Sequence, residues 1–242
     1  MWTTFSTTFC SVRVLGLDPS LTNYGWAIHD TNAPVGSPSR CVGRGRFRTP
    51  SKMEFVTRYM AQRESLRAVI REHRPDRVGI EFPVFDNLWS EGMYGLFLYS
   101  CEALRAECMD VVFWSPLQAK AHARDTLDRP KGWKMDKTDM CAAAKQDVGG
   151  GRNWNHNEAD AYLVAVLSGR FWDFYDGRLE EGGLTPTEIR YFTKVHTFVR
   201  GAKAGKTIKK GVIYRESDRF FRWSRLRGEE INDGAGEDKE EE

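Results

Sequence analysis

The sequence is poor in cysteine and has no CxxC pair. Five thiols without that spacing suit neither a disulfide framework nor a zinc site, so they read as reduced cysteines of a cytoplasmic protein. Cys101 and Cys108 are expected on one face of a helix. No apolar run approaches the roughly eighteen residues of a spanning helix, which argues against a membrane protein. Residues 1–13 lack a cationic start and a long apolar stretch, and so make a poor signal peptide. There is no internal repeat. Net charge is scarce as well, because 36 Lys+Arg against 34 Asp+Glu leave only +2.

What is present is an ordinary globular composition, 40% hydrophobic and 29% charged over 242 residues. A chain of this length buries a sizeable core without staples. The small net charge hides an asymmetry. Residues 229–242 carry −7, residues 191–228 carry +9, and the remainder is neutral. A basic block of this density predicts an anionic partner, the ordinary alternative being a solvated face. The acidic tail is expected to be disordered and to compete with a polyanion for the basic block.

The element order expected from periodicity is β-β-β-α-β-α-β-α-α-α. Residues 12–18, 24–30 and 42–49 read as a meander of strands. Ser51, with Glu54 three residues on, reads as the capping box of a helix that runs to Arg74-Pro75. Residues 77–82 and 111–114 are short, apolar, buried strands, with a helix over 93–109 between them. Helices are expected from Pro116 to Arg124 and over 136–148 and 157–175, with a polar loop at 125–134. A meander followed by crossovers implies a mixed sheet flanked by helices. Beyond Gly182, residues 187–193 suggest a short helix, and 207–214 with 219–224 a basic, aromatic hairpin. The expected division is 12–177 for the main domain, 183–228 for a basic extension and 229–242 for the tail.

Three acids stand where acids are unexpected. Asp18 closes an apolar strand, Glu81 lies between Ile80 and Phe82, and Asp160 lies in an otherwise apolar helix. A carboxylate in such a place is costly unless it is paired or holds a metal. Three of them on two strands and a helix suit Mg²⁺ or Mn²⁺. Each also has a bland explanation: a turn start for Asp18, an edge position for Glu81, and a favourable helix dipole for Asp160.

The acids fall in segments that resemble the RuvC-like Holliday-junction resolvases of the RNase H-like superfamily. GLDPSLTNYGWAI (16–28) is similar to that family's first strand, catalytic Asp and second strand. RVGIEFPVF (77–85) is similar to its strand with the catalytic Glu. SPLQAKAHAR (115–124) and KMDKTDM (134–140) resemble its two lysine-bearing segments, and EADAYLVAVL (158–167) its last helix. The similarity covers roughly residues 12–170. HNEADAYL also resembles the nuclease domain of CRISPR effectors, but the small size points to a stand-alone, phage-type enzyme.

The resemblance implies an α/β, RNase H-like fold with a mixed five-stranded sheet, to which this chain adds the basic extension. It implies a cytoplasmic, Mg²⁺- or Mn²⁺-dependent endonuclease with two ions per site, acting on branched DNA such as a four-way junction, as a homodimer. Asp18, Glu81 and Asp160 would be metal ligands, and Lys120 and Lys137 the basic residues near the scissile phosphate, Lys137 foremost. The family's fourth ligand, three residues before the helix Asp, is here Asn157, which ranks ahead of Glu158 and His156.

Arg124 and Lys134 in the same segments are further candidate DNA contacts, and so are Lys209 and Lys210 in the extension. Phe85 and Trp89 sit where that family wedges aromatics into the junction core, whereas Phe82 is as readily a core residue. The aromatics of 191–228 either meet DNA or pack on the main domain and leave only their charges outside. Three rival readings stand beside this one. GLDPSLTNYG also resembles the phosphate loop of sugar kinases and actin-like ATPases, although the chain is too short for their second lobe. A non-catalytic branch-binding module and an RNA- or hybrid-cleaving nuclease remain open.

Overall fold

The computed structural model describes residues 12–82, 91–151, 153–193, 196–197, 207–208 and 212–224. Three strands come first: β1 (Arg13–Asp18), β2 (Asn23–Asp30) and β3 (Cys41–Arg48), paired antiparallel as the expected meander. The helix α1 (Phe55–His73) leads to β4 (Arg77–Glu81), and α2 (Glu91–Ala106) leads to β5 (Val111–Trp114). Both crossovers return parallel, β4 beside β1 and β5 beside β4. Then come α3 (Pro116–Thr126), α4 (Lys137–Asp147), α5 (His156–Tyr175) and α6 (Pro186–Phe192). Short strands β6 (His196–Thr197) and β7 (Thr207–Ile208) form a ribbon of their own. A last hairpin, β8 (Val212–Arg215) and β9 (Phe220–Ser224), joins the main sheet.

That sheet has the order β3-β2-β1-β4-β5-β9-β8. The five expected strands are present, and the extension widens them to seven because β9 pairs parallel with β5. Side chains alternate across a strand. Leu15, Leu17, Ile80 and Phe113 therefore face Leu66, Ile70, Leu96 and Leu104, which lie on α1 and α2. Val14, Val112 and Trp114 face Val164, Leu167 and Phe171 of α5 on the other side. The extension's aromatics pack back onto this core. Tyr191, Phe192 and Phe221 are buried with Trp114 and Trp172, and Phe220 stacks on Phe113 at 5.6 Å. α6 is further fixed by Glu188, fully buried and bound through both oxygens to Arg170 of α5 at 2.8 and 2.9 Å.

Several local expectations are corrected. α1 starts after Glu54, with no Ser51 cap, and Arg58 instead collects the carbonyls of Pro50, Ser51 and Met53. α2 ends at Ala106, so Cys108 lies outside it, exposed and at φ 55°. Residues 207–208 pair with β6 and not within the last hairpin, since a tight turn reaches only from Arg215 to Phe220. The cysteines described, Cys41, Cys101, Cys108 and Cys141, are free thiols. Among the described residues, no helix is long and apolar enough to cross a membrane.

α5 crosses the sheet at three glycines. A Cβ on Gly25 would lie 2.1 Å from the Asn157 carbonyl oxygen, one on Gly16 1.9 Å from that of Ala161, and one on Gly79 1.7 Å from Ser168 Oγ. Missing side chains on three adjacent strands let the helix backbone sit directly on the sheet. Backbone cannot yield as a flexible side chain does. Gly16→Ala is therefore expected to cost more than about 2 kcal/mol in urea unfolding, whereas Gly182→Ala, with nothing within 4 Å, stays near neutral.

Candidate active site

The glycine contacts bring the three acids to one edge of the sheet. Residues two apart on a strand share a face. Asp18 thus shares the α5 face with Gly16, and Glu81 shares it with Gly79. Leu17 is level with Ile80 in the parallel pair, so Asp18 and Glu81 close neighbouring strands side by side. Gly16 is pressed on Ala161, and this brings the preceding residue, Asp160, to the same edge. The side-chain amide of Asn155 caps α5 by accepting from Asn157 N–H at 3.1 Å. The cap is two residues earlier than Asn157, which leaves Asp160 inside the helix.

Electrostatics mark the cluster. Burial, and then the charges of Glu81 and Asp160, hold the Asp18 carboxyl well above its usual range, against a pull from Lys137. Burial and Asp160 push Glu81 up to about 8, with Lys120 acting downward. Burial lifts Asp160 to about 6, opposed by Lys120 and Lys137. Oδ1 of Asp160 is buried without a hydrogen-bond partner. An acceptor in that state is rare and costly, and it is normally relieved by a donor or a cation. Among the described residues, no three His, Cys, Asp or Glu side chains are arranged to hold a metal ion by themselves. The donors nonetheless fit a hard divalent ion in chemistry: carboxylate oxygens, mutually repelling, one of them unpartnered.

The lysines enter from two helices packed beside α5. Lys120 is exposed on α3, whose first turn is closed by the Ser115 N–H donating to Gln118 Oε1 at 2.8 Å. Lys137 is exposed at the first position of α4, held there by Asp136 Oδ1 accepting from the Asp139 N–H at 2.8 Å. Arg124 is half-buried and pairs with Asp125 at 3.0 Å, and Lys134 is exposed in the loop before α4. Phe85, Trp89, Lys209 and Lys210 lie outside the described residues.

The three fourth-ligand candidates differ. The side-chain amide nitrogen of Asn157 is donated to the Asn23 carbonyl, which pins α5 to β2 and leaves only Oδ1 free to accept. Glu158 is held by Arg46 at 3.2 Å and Arg44 at 3.6 Å. His156 is kept neutral more readily by partial burial and by the nearby Lys137 and Arg46.

One cation was missed from the sequence. Arg222 on β9 stands 4.6 Å over the ring of Phe82, the residue after Glu81. Phe82 itself packs edge-on against Phe97 and Phe113, the core role open to it. The parallel pairing of β9 with β5 brings Arg222 level with Phe113, towards the carboxylate edge. Basic composition marked the segment, but nothing in it indicated that its last strand would join this sheet in this direction.

No family model matches the chain. Over 69 residues it is 38% identical to the crossover junction endodeoxyribonuclease RuvC of Caulobacter vibrioides, covering 28% of this chain and 39% of that one. Over 70 residues it is 39% identical to RuvC of Frankia alni, covering 29% and 34%. The match spans no more than about two fifths of these curated relatives. The structure of Thermus thermophilus RuvC superposes with a TM-score of 0.55 at 16% identity, over 69% of this chain and 97% of that one. The same protein in complex with Holliday junction substrate gives 0.53 at 18% identity, over 64% and 91%. The structural likeness is one of fold, and the sequence likeness is partial. Together they make this chain RuvC-like: it has the mixed-sheet RuvC, RNase H-like fold and resembles the RuvC crossover junction endodeoxyribonucleases over part of its length.

Proposed function

We propose that the chain is a divalent-metal-dependent endonuclease that resolves four-way junctions or related branched DNA, working in the cytoplasm of a bacterium or a phage-infected host. The observation that carries the reading is the meeting of Asp18, Glu81 and Asp160 at one sheet edge, with an unpartnered Asp160 oxygen. These three would hold Mg²⁺ or Mn²⁺, two ions per site, with Asn157 Oδ1 as a neutral fourth donor. The ions, when bound, lower the pKa of a water and stabilise charge on the phosphate.

The chain's own residues do the rest. Lys120 and Lys137 neutralise the non-bridging phosphate oxygens as charge builds there. Arg124, Lys134 and Arg222 flank the edge with positive charge for the strands on either side. Phe85 and Trp89 follow Glu81 and are proposed to stack on bases at the branch, and Lys209 and Lys210 to hold phosphates farther out. In the reaction, a water oxygen bonds to phosphorus, the bond from phosphorus to the 3′-oxygen breaks, and that oxygen takes a proton. The products are a 5′-phosphate and a 3′-hydroxyl.

A homodimer matches the near two-fold symmetry of a junction. Tyr94 and Leu98 on α2, with Phe55, Val56 and Met60 on α1, leave large apolar side chains exposed, a surface that suits a second copy. The pinned, uncharged Asn157 favours a second reading, a branch-binding module without catalysis.

The test is incubation with a four-way junction, a flap, a linear duplex and an RNA–DNA hybrid, with and without Mg²⁺ or Mn²⁺. Paired symmetric nicks on the junction, only with metal, are expected. Binding without cleavage in either metal would establish the module, and preference for the hybrid would move the protein to the ribonucleases.

A further inference from the structure

A second site lies at the opposite edge of the sheet from the carboxylates. A pocket of about 280 Å³ opens between the start of β4, the last turn of α5 and the β8–β9 turn. Arg77, Arg215 and Arg219 line it against the carboxylates of Asp110 and Asp218. Asp110 is shared by Arg77 and, at 3.2 Å, by Arg219. Arg215 donates to the carbonyls of Ser217 and Asp218, while the Asp218 carboxylate stays 3.9 Å away and does not neutralise it closely. Asp176, 3.8 Å from Arg77, is itself paired with Arg178 at 2.9 Å. The pocket is therefore left with positive charge.

It is also left with a donor. Trp172, another lining residue, is 1% exposed, and its indole N–H has no acceptor. A buried donor of this kind in a pocket wall favours a ligand that brings acceptor oxygens. The wall is aromatic: Tyr175 is 54% exposed and rests 5.1 Å from Phe221 and 5.8 Å from Trp172. An exposed ring backed by two buried ones is a firm stacking platform. Guanidinium groups beside such a platform match a phosphate joined to a planar base.

We propose that this pocket binds a nucleoside 5′-phosphate, with its phosphate on Arg77, Arg215 and Arg219 and its base on Tyr175. A flat strip of cations would suit a duplex backbone, whereas a concave, aromatic-walled pocket open on one side fits one nucleotide unit. That unit is either a free nucleotide or the 5′-phosphorylated end of a strand. The site is separate from the carboxylates and does not depend on cleavage.

The experiment is equilibrium dialysis of the full chain in EDTA against dAMP, deoxyribose 5-phosphate, inorganic phosphate, and a single-stranded oligonucleotide with or without its 5′-phosphate. Saturable dAMP binding is expected, about tenfold tighter than that of the two baseless probes. Tyr175→Ser and Arg215→Ser should each weaken it at least about fivefold while the chain still unfolds cooperatively above the assay temperature. Binding of the oligonucleotide that needs its 5′-phosphate identifies a strand end, and dAMP binding without that dependence identifies a free nucleotide; both support the site. The proposal is overturned by no saturable dAMP binding up to about 10 mM. Phosphate binding as tight as that of dAMP, or dAMP affinity untouched by both substitutions, overturns it equally.

Discussion

Asp18→Asn is expected to reduce junction cleavage by roughly 10⁴-fold while leaving junction affinity within about threefold of wild type. The substitution is nearly isosteric and removes one negative charge from the carboxylate edge. Asp18 feels Glu81, Asp160 and Lys137 at once, so no other acid of the cluster has as many charged neighbours acting on it. On the proposed reading, losing it would weaken cation binding and remove the charge on which Lys137 acts. Affinity is carried elsewhere, by Lys and Arg on phosphates, and one acid fewer slightly favours it. The measurement is single-turnover cleavage in Mg²⁺ beside a gel-shift titration in Ca²⁺ or EDTA. Full cleavage by the variant would remove Asp18 from the site, and a parallel loss of binding would make its role structural.

The second large effect concerns stability without metal. Glu81 is raised from 4.5 to about 8 and Asp160 from 3.8 to about 6, both mainly by burial. A carboxyl with a raised folded-state pKa binds its proton more tightly folded than unfolded. Its contribution is therefore fully present below about 4 and is lost as pH climbs through 6 and then 8. In EDTA, the melting temperature should fall across that window. Buried His29, held down to about 4, acts in the opposite sense below pH 6.5. The diagnostic is accordingly the difference between Glu81→Gln and wild type. At pH 8.5 the variant should melt several degrees higher, given roughly 2–4 °C per kcal/mol for a chain of this size, and at pH 4.5 the two should coincide. Added Mg²⁺ should raise wild type more at pH 8 than at pH 5.5, and Glu81→Gln less than wild type. A constant difference across pH would mean that Glu81 is not in the strained cluster. A buried carboxylate cluster that opposes its own fold is the kind of trade of stability for function that proteins commonly make.

Much of the architecture was legible in residue order. Val and Leu alternating with Gly16 and Asp18 read as a strand ending at its acid, and the four-residue run 111–114 is bounded as read. The start of α1 was misread because Ser51 and Glu54 have capping-box spacing, yet Arg58 satisfies the carbonyls around them from within the helix. A local pattern cannot register a long side chain folding back from outside it. The resemblance put Asn157, three residues before Asp160, in the place of a fourth ligand. Its bond to the Asn23 carbonyl comes from a strand far away in the chain, which no helical spacing reports.

The mixed α/β order and the three out-of-place carboxylates were determined by the sequence alone, because they rest on short-range periodicity and on the cost of an acid within an apolar run, whereas Lys120 and Lys137 were singled out by the family resemblance. Only the tertiary structure decided how those acids meet. Gly16, Gly25 and Gly79 give up their side chains on three neighbouring strands, so that α5 lies against bare backbone and carries Asp160 to Asp18 and Glu81. Tertiary structure alone also decided where the basic extension goes. β9 joins β5 in parallel, which brings Arg222 level with Phe113 near the carboxylate end of the sheet, on the α1/α2 face, and gathers Arg215 and Arg219 at the far end. Strand partners and direction are long-range choices, made by whichever buried faces fit together, and a charge count along the chain contains neither.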